Sequence, residues 1–163
     1  MIRVGVLTAS DKGSRGERAD ESGKLIMERV KEIPGEVAEY IVVPDDRETI
    51  SENLRRMADE LELHLILTTG GTGMSPRDIT PEATMDVIDR VVPGIPEAMR
   101  AKSLEVTNRA MLSRAAAGIR KRTLIVNMPG SRKAVDECLD VIIPVLKHGI
   151  EIMRGEDGEC ART

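Results

Sequence analysis

The chain has 163 residues, with 24 Lys and Arg against 28 Asp and Glu for a net charge of −4, and 40% apolar content. That length suffices for one domain with a sizeable core. The acidic balance argues against a nucleic-acid partner, whose phosphates need a basic face, and no apolar run approaches the roughly 20 residues of a membrane span.

Ile2–Thr8 is apolar around Gly5 and reads as a buried strand beginning at the N-terminus, so no signal peptide is expected. It empties into the polar loop Ala9-Ser10-Asp11-Lys12-Gly13-Ser14-Arg15-Gly16. Leu25, Ile26, Val30 and Ile33 have helical spacing and predict a helix from about Asp20 to Pro34-Gly35. Val37–Val43 predicts a second strand, stopped by Pro44-Asp45-Asp46; it holds Tyr40, the one aromatic residue. A planar ligand would therefore be held by aliphatic walls and backbone groups. Ile50, Leu54, Met57 and Leu61 then recur at helical intervals, with Arg55, Arg56 and Glu60 outward.

The stretch Leu63–Thr84 organises the chain. An apolar run reads as a third strand and breaks into Thr69-Gly70-Gly71-Thr72-Gly73. It resumes as a helix with Thr80 as the expected N-cap and Pro81 at the first helical position, running to about Arg90. Glycines allow positive φ and close approach of a ligand, and a strand, glycine turn and capped helix together build an anion site. Asp78 would repel phosphate there unless a cation lay between, which points to a metal–nucleotide site. The turn is neither a Walker A motif nor Gly-x-Gly-x-x-Gly, and taken alone it could equally be a structural turn.

Asp45 and Asp46 suit a turn after Pro44, but Asp45 beside Asp78 would also make a sensible magnesium pair. Arg77, inside the glycine loop, could neutralise a phosphate oxygen, with Ser113-Arg114 a weaker anion contact. Arg100, Arg109, Arg120 and Lys102 read as solvated charges, and His64 and His148 as structural. Without a Ser/His/Asp or Cys/His constellation, a nucleophile already ionised is the fitting choice: phosphate attacking phosphate.

Pro93-Gly94-Ile95-Pro96 punctuates the chain before a helix through about Val106. Arg114–Ile119 is ambiguous: Ala115, Ala116 and Ala117 favour helix, yet apolar runs flanking Arg120-Lys121-Arg122 suggest a hairpin into Thr123–Val126. A tight turn, Asn127-Met128-Pro129-Gly130-Ser131, precedes the last helix, with Ser131 as cap. That helix carries Val135, Leu139, Ile142, Leu146 and Ile150 in one row and Ala134, Cys138, Val141 and Val145 in another, with a kink expected at Pro144. A face this broad hints at a subunit contact. Cys138 and Cys160 lack metal-ligand spacing and read as reduced thiols of a cytoplasmic protein. Beyond residue 155 a polar, mobile tail (156–163) is expected.

The alternation implies an α/β fold: a single three-layer domain over 1–155, with a mostly parallel sheet, helices on both faces and an antiparallel edge hairpin. Ligands then bind beyond the carboxyl ends of the strands, where Ser10-Asp11, Asp45-Asp46, Gly70–Asp78 and Asn127 gather.

These residues resemble a known family. Thr69–Gly73 with Pro76-Arg77-Asp78-Ile79-Thr80-Pro81-Glu82-Ala83-Thr84 is similar to the signature of the MogA/MoaB molybdenum-cofactor proteins, a fold also seen in the G domain of gephyrin. Val6-Leu7-Thr8-Ala9-Ser10-Asp11, Val43-Pro44-Asp45-Asp46 (Asp46 replacing the usual Glu), Ala110–Arg114 and Asn127–Gly130 extend the match along nearly the whole chain. The resemblance implies a molybdopterin adenylyltransferase, which uses Mg-ATP to adenylylate the phosphate of molybdopterin and releases pyrophosphate. It puts the family's essential aspartates on Asp45 and Asp78, as catalytic residues and magnesium ligands. Gly70, Gly71 and Gly73 would donate backbone N–H groups to phosphate, and Thr69, Thr72, Arg77 and Ser113 would join the binding set. Ser10 and the Asn127, Met128, Pro129, Gly130 turn would border the nucleotide or pterin pocket. It further implies a homotrimer and a downstream metal-inserting enzyme. The alternatives are a MoaB-type protein that binds without turnover, or a competence-damage-type ADP-ribose hydrolase.

Overall fold

The computed structural model describes residues 1–156; Cys160 and all but the first residue of the expected tail lie outside that range. Six strands form one sheet: β1 (Ile2–Ala9), β2 (Gly35–Val43), β3 (Leu65–Thr69), β4 (Arg90–Val91), β5 (Ala117–Arg120) and β6 (Thr123–Met128). Their order is β2-β1-β3-β6-β5-β4, parallel from β2 to β6 and antiparallel at β5 and β4. The helices are α1 (Asp11–Ser14), α2 (Glu21–Arg29), α3 (Arg47–Arg55), α4 (Thr80–Val87), α5 (Gly94–Leu104) and α6 (Arg132–Met153).

The period-two alternation of the central strands divides the core. Val4, Val6, Leu65, Leu67, Leu124 and Val126 face α2, α5 and α6, through Ile26, Met99, Leu139 and Ile142. Leu7, Ile66 and Ile125 face α3 and α4, through Ile50, Leu54, Ala83 and Val87. Leu65, Ile66 and Leu67 are fully buried, and such residues contribute about 1.5–3 kcal/mol each. The three layers expected from the sequence are present, as is the β5–β6 hairpin, which turns at Lys121 with φ of +52°.

Other boundaries differ. The helix expected to reach Arg90 ends at Val87; Ile88 is extended, and Arg90–Val91 pair with Ile119 and Gly118. Gly118 permits that edge, because a Cβ there would lie 2.5 Å from Ile88 Cδ1 and 2.7 Å from the Arg90 carbonyl. Thr80 is the first helical residue and not the N-cap, which is Ile79; Pro81 comes second. The loop after β1 holds α1, capped by the Ser10 hydroxyl accepting from Gly13 N at 2.9 Å. Asp46 caps α3, accepting from Thr49 N at 2.9 Å. His64 is structural, accepting from Arg3 N at 2.9 Å through Nδ1. Ser131 caps α6 as expected, and Pro144 lies within that helix. No helix among the described residues is long and apolar enough to cross a membrane.

Candidate active site

The carboxyl ends of β1, β2, β3 and β6 lie side by side, so the loops after them share one edge. Two of these loops are tied through their aspartates. Asp11 N donates to Asp45 Oδ2 and Asp45 N donates to Asp11 Oδ1, both at 3.0 Å. Arg77 crosses from the glycine loop and grips Asp11 with two hydrogen bonds, Nε to Oδ2 at 3.0 Å and Nη2 to Oδ1 at 2.8 Å. The neighbouring carboxylates therefore differ. The Arg77 guanidinium, helped by the Asp45 amide, holds the Asp11 carboxyl below its ordinary value. Burial pushes the Asp45 carboxyl up, and the charges of Asp11 and Asp78 add to that rise.

The glycine loop fits where no side chain would. Gly70 and Gly71 have φ of +91° and +69°. A Cβ on Gly70 would sit 2.4 Å from the Ala9 carbonyl; on Gly71 it would meet Thr80 Oγ1 at 2.3 Å and Asp45 Oδ1 at 3.3 Å. Of the three glycines expected to offer amides to phosphate, Gly70 does not: its N–H donates to the Met128 carbonyl at 3.3 Å, closing β3 onto β6. Among the described residues the Gly71 and Gly73 amides donate to no protein acceptor. Asp78 Oδ2 accepts from Ser75 N at 2.9 Å and lies 2.9 Å from where a Gly73 Cβ would be.

Arg114 is the brace of this loop and not the anion contact expected of it. Its backbone N donates to the Thr72 carbonyl at 2.8 Å. Nε donates to the Gly73 carbonyl at 2.8 Å, Nη2 to the Asp78 carbonyl at 2.7 Å, and Nη1 to both oxygens of Glu82. Asn127 is likewise interior. Its amide N donates to Thr68 and Thr84 hydroxyls at 3.0 and 2.8 Å, and its Oδ1 accepts from Ala116 N at 3.1 Å. Asn127 and Met128 are fully buried and border neither cavity; Pro129 and Gly130 do reach the site.

Two cavities of opposite character meet at the loop. A polar one of about 610 Å³ includes Thr8, Ser10, Asp20, Asp45, Thr69 and Gly70 in its lining. The N-termini of α2 and α6 open onto it at Asp20 and Ser131, adding partial positive charge. The other, of about 430 Å³, is largely apolar, with Pro96, Met99, Leu112, Ala115, Ala134 and Cys138 in its wall; Thr72, Gly73 and Ser113 also face it. Gly71, Asp78, Gly130 and Ser131 belong to both. Arg77 borders neither while it holds Asp11. No cluster of three His, Cys, Asp or Glu ligands exists among the described residues. The sequence places Asp11 at the ligand edge and offers Arg114 as a weaker anion contact, but not their bracing roles, because each acts through partners more than 30 positions away.

The family described as "probable molybdopterin binding domain" matches residues 5–148. The chain is similar to the molybdopterin adenylyltransferase of Helicobacter pylori strain J99, at 44% identity over 94% of this chain and 89% of that protein. It is similar to the crystal structure of the molybdopterin biosynthesis enzyme MoaB from Thermus thermophilus, with a TM-score of 0.90, 52% identity, and coverage of 95% and 98%. The tungsten cofactor synthesizing protein MoaB from Pyrococcus furiosus superposes with a TM-score of 0.86 at 37% identity, covering 94% and 97%.

Proposed function

The chain belongs to this molybdopterin-binding family, and from that premise we propose that it transfers the adenylyl group of ATP to the phosphate of molybdopterin. An oxygen of the molybdopterin phosphate attacks the α-phosphorus of ATP. The new P–O bond forms as the bond to the β-phosphate oxygen breaks, and pyrophosphate leaves with that electron pair. No protein base is required, because the attacking phosphate is already ionised.

One observation carries the reading: a polar and an apolar cavity share Gly71, Asp78, Gly130 and Ser131. A triphosphate suits the first cavity, with its helix N-termini, and the flat faces of a pterin, with polar groups only at its edge, suit the second. Their phosphates would then meet at the shared residues, which is the positioning that this reaction chiefly needs. Gly71 and Gly73 offer amides there, and Arg77 can exchange Asp11 for a phosphate oxygen. Asp45 and Asp78 fit magnesium, an ion that takes one or two carboxylates and fills its shell with phosphate oxygens and water. Burial raises the Asp45 carboxyl and the charges of Asp11 and Asp78 add to that rise; a divalent cation would favour the ionised form against both. Such an ion supplies charge neutralisation at the phosphates.

Purified protein incubated with molybdopterin and Mg-ATP is expected to yield adenylyl-molybdopterin and pyrophosphate. Asp45→Ala and Asp78→Ala should abolish product while remaining folded. Tight molybdopterin binding without product would move the chain to a purely binding role. A homotrimer belongs to the same reading, supported by exposed Val145 and Ile152 on α6; light scattering tests it. A cytoplasmic setting and delivery of the product to a metal-inserting enzyme complete it.

A further inference from the structure

Four charged side chains line the apolar cavity, and three of them are accounted for. Asp78 belongs to the junction with the polar cavity. Arg100 Nη1 is spent on the Ser113 and Ala115 carbonyls, at 3.4 and 3.1 Å. Arg109 stands exposed on the short turn Asn108–Leu112. Glu137 is different. It is half-buried on α6 among Met99, Ala134 and Cys138, and among the described residues its carboxylate makes no hydrogen bond or ion pair. The nearby Lys102 is committed to Glu105 at 2.9 Å and meets Glu137 only through space. A half-buried carboxylate with no protein partner is free to accept hydrogen bonds from what enters the cavity.

Its position says what that is. Glu137 follows Ser131, which belongs to both cavities, by six helical residues, roughly 9 Å along the axis at 1.5 Å per residue. It therefore faces the end of the cavity remote from the phosphate junction. We propose that Glu137 determines specificity for the pterin ring, its two oxygens accepting from the N3–H and 2-amino group of the aminopyrimidinone edge. Those two donors are adjacent and coplanar, matching a carboxylate as a guanidinium does, and they lie at the opposite end of the substrate from its phosphate. The inference rests on the reading that the apolar cavity takes the pterin.

The test compares wild type with Glu137→Gln and Glu137→Ala. Both variants should raise the KM for molybdopterin at least about tenfold, because a buried donor pair loses its acceptor, with kcat and the KM for ATP nearly unchanged. As competitive probes, 6-hydroxymethylpterin phosphate and its lumazine counterpart (oxygen in place of the 2-amino group) separate recognition from structure. Wild type should favour the pterin by about a hundredfold. Glu137→Gln presents one acceptor and one donor, so the preference should collapse or reverse towards the lumazine. An unchanged molybdopterin KM and an unchanged pterin-to-lumazine ratio would overturn the role of Glu137 while wild-type adenylylation still stood. Loss of ATP affinity in both variants, with lowered melting temperature, would also overturn it, by showing a structural residue. Failure of wild type to bind or adenylylate molybdopterin would instead remove the function on which the inference rests.

Discussion

Gly71→Ala tests the geometry of the junction most directly, and Thr80 supplies the control. Two separable penalties are expected. An L-residue at φ of +69° is disfavoured by about 1–2 kcal/mol. The new methyl would also lie 2.3 Å from Thr80 Oγ1, an overlap in the range of overpacked cores, about 1–3 kcal/mol. The single variant should thus lose about 2–5 kcal/mol. Thr80→Ala behaves otherwise. Its hydroxyl is buried without a hydrogen-bond partner among the described residues, and removing such a group returns about 1–3 kcal/mol. The lost γ-methyl offsets most of that, at roughly 1 kcal/mol plus a small cavity term, leaving the single change near neutral. In the double variant the Oγ1 overlap disappears while the backbone penalty and the 3.2 Å contact with Thr80 Cβ remain. The double-mutant cycle should therefore show about 1–3 kcal/mol of favourable coupling, read from urea midpoints at constant slope. Additivity within about 0.5 kcal/mol would refute the steric account and leave backbone conformation as the whole effect.

Three further outcomes follow from neighbouring residues. The Asp45 carboxyl is raised in the folded state, chiefly by burial, so the fold holds its proton more tightly than the unfolded chain does. Stability is therefore lost as Asp45 ionises with rising pH. Asp45→Asn should melt higher than wild type at pH 7, and the gain should fade as pH falls through the raised folded value and be gone below the ordinary value of 3.8; a gain that persists below that contradicts the assignment. Arg77→Ala should leave the melting temperature nearly unchanged, since the Arg77 side chain is 63% exposed, but raise the KM for ATP several-fold in initial-rate assays. Arg114→Lys keeps the charge facing Glu82 but cannot also reach the Gly73 and Asp78 carbonyls. A stability loss of about 2 kcal/mol and at least a tenfold fall in kcat are expected; an intact kcat would mean that Asp78 needs no brace.

The layers of the fold were legible because its central strands are short, apolar and punctuated. Thr69–Gly73 also announced itself, since glycines at 70 and 71 are demanded by positive φ. The end of α4 was not legible. Ile88-Asp89-Arg90-Val91 continues helical apolar spacing, and only the bare backbone of Gly118, nearly 30 positions later, gives those residues an edge to join. Asn127 looked like a turn residue at a strand end, yet three partners on separate segments hold it inside. The Asp11–Arg77 pair spans 66 positions and Arg114 reaches back 41 to Gly73, so no local pattern could reveal either. Local rules find the elements that carry a site; the contacts that orient it are properties of the assembled edge.

The unequal treatment of Asp11 and Asp45 leads to a last prediction. Arg77 pairs with Asp11 and reaches Asp45 only through space, so among the described residues neither Asp45 nor Asp78 has an ion pair of its own. A bare triphosphate entering the polar cavity would add negative charge to two carboxylates, whereas a triphosphate carrying a divalent cation would relieve them. The helix N-termini and glycine amides favour either form alike, so the carboxylates decide between them. Calorimetric titration should accordingly find Mg-ATP binding at least about tenfold tighter than ATP in chelator. In the Asp45→Asn, Asp78→Asn double variant the order should shrink or invert: free ATP gains affinity as repulsion is removed, and Mg-ATP loses it with the cation's ligands. Equal weakening of both forms would show that the aspartates shape the pocket without selecting the charge of what enters it.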